Sequence, residues 1–237
     1  MKKQTSLYMS LAFSFVLLLA SSAFAGGTVS GKVIFEGAAP APETIAMGAD
    51  PTCLAMHSEP VTSESIVVNA NGTLKNVFVY VKEGLEGQTF EAPKDAVQFD
   101  QTTCTYKPHV FGVQANQPIE IINSDSTLHN VHCMGEKNKP FNLGMPIKGM
   151  KLKKTFTESE VMVKFKCDVH PWMNAYCGVL NHPFFGVTGE DGSFSLKDLP
   201  AGNYVIEAWH EKYGTQTQNV TVAEGAAQEI QFTFKAV

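Results

Sequence analysis

The sequence predicts an all-β protein of β-sandwich architecture, and three observations predict it. Short alternations of apolar and polar residues recur along the chain, and glycine-rich turns separate them at short intervals. Beyond residue 25, no stretch has the length and periodicity of an amphipathic helix. With 237 residues and 44% hydrophobic content, the chain can bury one sizeable core or two small ones.

Residues 1–25 read as an export signal rather than as structure. Lys2 and Lys3 carry the positive charge, residues 11–20 form an apolar run, and Ala23-Phe24-Ala25 is a small-x-small cleavage site. The run is short for a bilayer span and no second one follows, so the mature chain, residues 26–237, is expected to carry no membrane span. No cysteine follows the cleavage site, which argues against lipid attachment there. The expected location is periplasmic or secreted, where disulfides are permitted.

Residues 28–36 read as the opening strand. In 76–81, Val77, Val79 and Val81 share one face. In 161–167, Val163, Phe165 and Cys167 lie opposite Lys164 and Lys166. In 229–235, Ile230, Phe232 and Phe234 point inward while Gln231 and Thr233 point outward. Each is a strand with one buried face. The net charge is −5, and all 18 cations are lysine. Without arginine the chain lacks the planar bidentate donor that phosphate and nucleic-acid sites favour, so nucleic-acid binding is not expected.

The last 55 residues are distinctive. Val187-Thr-Gly-Glu-Asp-Gly-Ser-Phe-Ser-Leu196 reads as two strands around an Asp191-Gly192 turn, and Leu199-Pro-Ala-Gly-Asn-Tyr204 leads into another strand at 205–209. This stretch resembles the carboxypeptidase-regulatory-like, or transthyretin-like, module over about residues 187–234. That module implies a β-sandwich but no single function. Too few strands lie here to close a sandwich. Residues 28–36 and 74–81 look like its opening strands, giving a split module, 26–95 plus 183–237, interrupted by a second domain at 96–182. Two modules in series remain the alternative.

The chemistry lies in two segments of the middle region, Leu128-His-Asn-Val-His132 and Cys167-Asp-Val-His-Pro-Trp-Met173. A strand end followed by a tight loop brings a thiolate, an imidazole and a thioether around one ion, and a histidine from a neighbouring strand completes two His, one Cys and a weak axial Met. That is the ligand set of a blue-copper site. Zinc would accept the same His and Cys donors but has no use for a thioether. Together the segments resemble the cupredoxins, and the short C-x-x-H-x-x-M loop looks most like amicyanin. The resemblance implies a Greek-key sandwich over 96–182 holding one type 1 copper ion. The metal ligands would be His129, Cys167, His170 and Met173. Asn130 would brace the ligand loop by hydrogen bonding, and an electron port would lie at His170 beside Pro171 and Trp172, with Phe141 and Pro146 at its rim.

With Cys167 assigned to copper, four cysteines remain and allow three pairings. The favoured one joins Cys53 to Cys104 and Cys133 to Cys177. His132 falls on the strand face opposite His129 and is read as non-ligating. His57, His109, His182 and His210 show no partner in the sequence. Residues 136–166 concentrate eight lysines, and five methionines lie between 134 and 173. The lysines suit a docking face, over 137–154, for an acidic redox partner, with a c-type cytochrome or a dehydrogenase as candidates. Met145, Met150 and Met162 are candidates for a second, cuprous site. The expected function is an exported one-electron carrier with no enzymatic activity of its own. A periplasmic copper carrier or store, and an extracellular interaction module with a structural metal, are the alternatives.

Overall fold

The computed structural model describes residues 26–236, so the segment expected to be an export signal, residues 1–25, lies outside the described residues. The chain enters through β1 (Gly27–Glu36), makes a long excursion containing a single 3-10 turn (Met47–Ala49) and the short helix α1 (Pro51–Ala55), and returns in β2 (Phe78–Glu83). Nine strands follow: β3 (Val97–Thr102), β4 (Thr105–Lys107), β5 (Val110–Gln114), β6 (Pro118–Asn123), β7 (His129–Cys133), β8 (Phe141–Met145), β9 (Lys151–Thr155), β10 (Glu160–Lys166) and β11 (Asn174–Leu180). The chain closes with β12 (Phe185–Val187), β13 (Ser193–Leu199), β14 (Gly202–His210), β15 (Gly214–Val222) and β16 (Ala227–Lys235). Apart from these short helical turns, the described residues are all-β. No helix among the described residues is long and apolar enough to cross a membrane.

Four sheets form two sandwiches. In one, the sheet β13-β1-β16 faces the sheet β12-β2-β14-β15. Between them lie Val29 and Val33 of β1, Leu196 of β13, Ile206 of β14 and Phe232 and Phe234 of β16, all buried. β1 runs parallel to β16, with Thr28 opposite Ala227 and Glu36 opposite Lys235, so the first and last strands of the described residues meet in one sheet. In the other sandwich, β4-β3-β6-β9 packs on β5-β11-β10-β7-β8 around Phe99, Phe111, Ile121, Val131, Val163 and Phe165.

A seam joins the two. β2 was expected to bury one face, yet Phe78, Val79, Tyr80 and Val81 are all buried. Val79 and Val81 face the first core, whereas Phe78 and Tyr80 join Val110 and Leu180 in a separate cluster. Strand alternation puts the two sets on opposite faces, and each face has its own cover. Phe78 fits because glycine stands opposite: a Cβ on Gly112 or Gly178 would come within 2.7 and 2.3 Å of its ring.

The Asp191-Gly192 turn differs from the expected hairpin. β12 pairs with β2 and β13 with β1, so the turn carries the chain from one sheet to the other. Gly192 has φ +68°, and a Cβ there would meet the Thr73 side chain at 2.2 Å.

One of the two expected cysteine pairs is present. Cys53 and Cys104 are joined, fastening the excursion before β2 to the β3–β4 turn. Cys133 and Cys177 are both free and buried, which corrects the second expected pair. Cys133 lies opposite Phe165 and Cys177 opposite Val163, on the two strands flanking β10. Two strand spacings, roughly 10 Å, separate β7 from β11, beyond the reach of a disulfide. Burial pushes the Cys133 thiol up to about 11 and that of Cys177 well above its ordinary value, so both behave as small apolar side chains.

Candidate metal centre

His129 opens β7, Cys167 follows the last residue of β10, and His170 sits in the tight turn between β10 and β11. All three side chains are buried, and their donor atoms lie within 4.8 Å of one another. The loop is closed at both ends, since the Cys167 amide donates to the Met173 carbonyl (3.1 Å) and the Met173 amide to the His170 carbonyl (2.9 Å). Met173 is 1% exposed in the core beside this loop. Asn130, next to His129, places its Oδ1 where it accepts from the Asp168 amide (2.7 Å), the Val169 amide (3.3 Å) and the Cys167 thiol (3.2 Å). One side chain on β7 thus braces the turn that carries Cys167 and His170.

The donor atoms point inward. His129 Nδ1 and His170 Nδ1 are 2.9 Å apart, and Cys167 Sγ is 3.9 Å from His170 Nδ1. The outer nitrogens are occupied: His129 Nε2 lies 2.9 Å from Asp125 Oδ2, and His170 Nε2 lies 2.9 Å from Asp50 Oδ2. A carboxylate accepts and cannot donate, so each Nε2 carries the proton and each Nδ1 presents a lone pair. Two buried lone pairs at that distance require a cation between them, either a proton or a metal ion. The charge balance agrees. Burial opposes protonation of His129, but hydrogen bonds to Asp125 and Cys167, with their charges, outweigh it and raise its pKa to about 8. Burial likewise opposes ionisation of Cys167, yet His129 and the amides of Asn130, His170 and Val169 bring its thiol below the ordinary value. An acidic thiol among imidazoles suits a soft or borderline metal ion.

The remaining residues singled out in the sequence fall elsewhere. His132 is half-buried on the other face of β7, with Nδ1 2.9 Å from Asp168 Oδ2. Met145 is fully buried and its sulfur accepts from Gln101 Nε2, while Met162 packs against the seam cluster and Met150 against the second core. The three methionines considered for a cuprous site thus divide between two clusters, Met145 and Met150 at the second core and Met162 at the seam.

The His170 edge is not open to solvent. His170 is 2% exposed, with Asp50 and Cys53 Sγ (3.5 Å) over its Nε2. Trp172 lies under the same excursion, packed against Cys53, Cys104 and Ile45, and its indole N–H donates to the Cys104 carbonyl. Of the expected port only Pro171 and the rim residue Pro146 are exposed, while Trp172 and Phe141 are half-buried. The two carboxylates behind the imidazoles were missed in the sequence. Asp125 stands four residues before His129 in a turn, a spacing that offers a signal. Asp50 is 120 residues from His170, and nothing local announces it.

A carboxypeptidase regulatory-like domain model matches residues 182–235. No curated protein matches the chain. The resemblance to cupredoxins is seen among solved structures. A purple cupredoxin from Nitrosopumilus maritimus is 23% identical, with a TM-score of 0.31, covering 36% of this chain and 99% of that one. A Cu(I) form of an amicyanin variant is 22% identical, with a TM-score of 0.32, covering 43% and 97%. A copper-containing nitrite reductase from Thermus scotoductus SA-01 is 20% identical at a TM-score of 0.35, and the chain spans 24% of its length.

Proposed function

We propose that this protein is an exported carrier of single electrons whose site holds one type 1 copper ion. His129, Cys167 and His170 would hold it strongly, and the Met173 thioether would hold it weakly. The observation that carries the reading is the buried trio of two inward Nδ1 atoms and an acidic thiol, with both outer nitrogens already held by carboxylates. Bound copper would supply a reversible one-electron change. The residues themselves do the rest. The closed Cys167–Met173 turn and its brace at Asn130 hold the donors still, so neither oxidation state demands much movement. Burial of all four donors keeps water and substrate from the site, which favours electron transfer over substrate chemistry and a non-enzymatic role. Zinc uses the same His and Cys donors, but the buried methionine that closes the loop favours copper.

The strand pairing supports a nested organisation, with residues 26–95 and 183–237 as one module and 96–182 as the copper-binding domain inserted in it. Lys137, Lys139, Lys148, Lys151 and Lys153 are exposed on the inserted part and would guide an acidic redox protein, such as a c-type cytochrome or a dehydrogenase. Because His170 is covered, the apolar contacts nearest the ligands would be Leu128 and Val169, each 46% exposed. β8 is paired with the strand that carries His129, so docking is better tested by reversing lysine charges than by deleting residues 141–154. The deciding experiment is the visible and EPR spectrum of the mature protein with Cu(II), beside Cys167→Ser. An intense blue charge-transfer band lost in the variant is expected. A colourless protein, or a spectrum indifferent to Cys167, would sink the electron-transfer reading in favour of copper carriage or a structural metal.

A further inference from the structure

We propose that Asp50 is a positioning residue for the second imidazole, held in place by the Cys53–Cys104 disulfide, so that this bond controls the copper site without touching the metal. The proposal rests on the copper reading above. Its geometry is a pair of matching arms. On one, Asp50 caps α1, its Oδ1 accepting from the Thr52 amide (2.8 Å) and the Cys53 amide (3.3 Å) while Oδ2 holds His170 Nε2 at 2.9 Å. On the other, Asp125 Oδ1 accepts from the Thr103 amide (2.7 Å), and Oδ2 accepts from the Cys104 amide (2.7 Å) and from His129 Nε2 (2.9 Å). Each half-cystine therefore donates its amide to the carboxylate that holds one imidazole. The disulfide yokes the arms together.

The arms differ in what anchors them. Asp125 belongs to the β6–β7 turn of the same sandwich as His129 and is braced there by its own hydrogen bonds. Asp50 arrives on an excursion from the other sandwich, at the start of a five-residue helix too short to persist alone. The disulfide is its covalent fastening beside the site. Losing that bond frees Asp50 and uncovers His170 while leaving His129 held. A dithiol reductant supplies the two electrons and two protons that convert the disulfide to two thiols, and copper chemistry is not needed for that step.

A carboxylate on the outer N–H makes an imidazole a better donor and fixes its ring, and removing such a partner costs about 10–100-fold in metal affinity. The loss falls more heavily on Cu(II), the more highly charged ion. Each tenfold loss of Cu(II) affinity not matched for Cu(I) raises the reduction potential by about 59 mV.

The test uses the full mature protein as wild type, Asp50→Ala, Asp50→Asn and the pair Cys53→Ser with Cys104→Ser. Two readouts are taken: the His170 Nε2–H resonance of the metal-free protein, and the Cu(II) and Cu(I) affinities by chelator competition together with the potential. In wild type the Nε2–H should exchange slowly. In Asp50→Ala it should exchange fast, with Cu(II) binding weakened 10–100-fold and a raised potential. Asp50→Asn should fall between, since its amide oxygen still accepts but carries no charge. The serine pair should resemble Asp50→Ala at His170 while His129 stays as in wild type. Wild-type exchange and potential in Asp50→Ala overturn the proposal, as does a serine pair that leaves His170 unchanged. Failure of the copper reading would show separately, as a colourless Cu(II) form with the metal-free proton signals still responding to Asp50.

Discussion

His210 makes the protein sensitive to mild acid, and the structure sets the size of the effect. The ring is 1% exposed, stacked on Tyr213 at 4.9 Å and packed near Phe234. Its Nδ1 accepts from the Lys212 amide (3.2 Å) and the Tyr213 amide (3.3 Å). A proton on Nδ1 would face two N–H groups, and the charge would sit in an apolar core. Burial accordingly lowers the pKa from 6.5 to about 4. The folded state thus binds its proton at lower pH than the unfolded one. The associated stability is fully present above pH 6.5 and is lost as pH falls toward 4. At pH 5 this loss amounts to about 2 kcal/mol for one such histidine. The measurement is the urea midpoint at pH 7.5 and pH 5 for wild type and His210→Asn, whose side-chain oxygen can accept from the same amides without titrating. The variant will be less stable at both pH values because it loses the ring, but its loss between them should be smaller by about 2 kcal/mol, roughly 1 M urea. Carboxylates that respond to acid contribute equally to both proteins and cancel in the difference. Parallel losses, or a native His210 that titrates at 6.5 or above by NMR, would refute the argument.

Three further outcomes are expected. The metal-free protein, unfolded without reductant, should show three reactive thiols, Cys133, Cys167 and Cys177, and five after reduction; a single thiol would mean that Cys133 and Cys177 are joined. Glu160→Ala should destabilise by about 2–4 kcal/mol, because the Glu160 carboxylate accepts from the amides of Glu136, Lys137 and Asn138, and a thermal melt within 2 °C of wild type would deny it that role. Gly178→Ala should cost about 1–3 kcal/mol by driving a methyl into Phe78, and Phe78→Leu in the same chain should recover part of it; no recovery would place the strain elsewhere.

The strands were legible because alternation is a local property. The register that places Phe232 and Phe234 inward follows from their spacing, and the thiol, imidazole and thioether of the 167–173 loop lie close enough in sequence to be read as one unit. What escaped was determined by distance and by second faces. Phe78 and Tyr80 looked like the outward side of a strand, and only the glycines of β5 and β11 make that face a seam. Cys133 and Cys177 fit the arithmetic of an even cysteine count, but that arithmetic ignores the strand between them. Asp50 carries no local sign of its role, because its partner lies 120 residues away and the excursion between β1 and β2 has few elements to predict from.

The carboxypeptidase regulatory-like part has no function fixed by its fold, and its place here suggests one. The excursion that carries Asp50 and Cys53 leaves β1 and rejoins β2, so both its ends are set in the flanking sandwich. Bridges between Ile34 and Thr73 and between Thr44 and Thr62 fold it back on itself. The same sandwich meets the second one through Phe78, on the strand at which the excursion ends. Under the proposed function, a sandwich with no chemistry of its own thereby delivers a carboxylate to a ligand of another. Under the proposed nesting, that arrangement gives the insertion a purpose that two domains in series would lack. A series needs one linker, whereas positioning Asp50 to hydrogen-bonding precision needs the seam and the disulfide to act from two directions. It also accounts for the covered imidazole. If His170 were the exit for electrons, burying it would be a defect, whereas under the proposed function a ligand held by the excursion is necessarily beneath it, and a redox partner would approach over Asp50 or beside the exposed Leu128 and Val169.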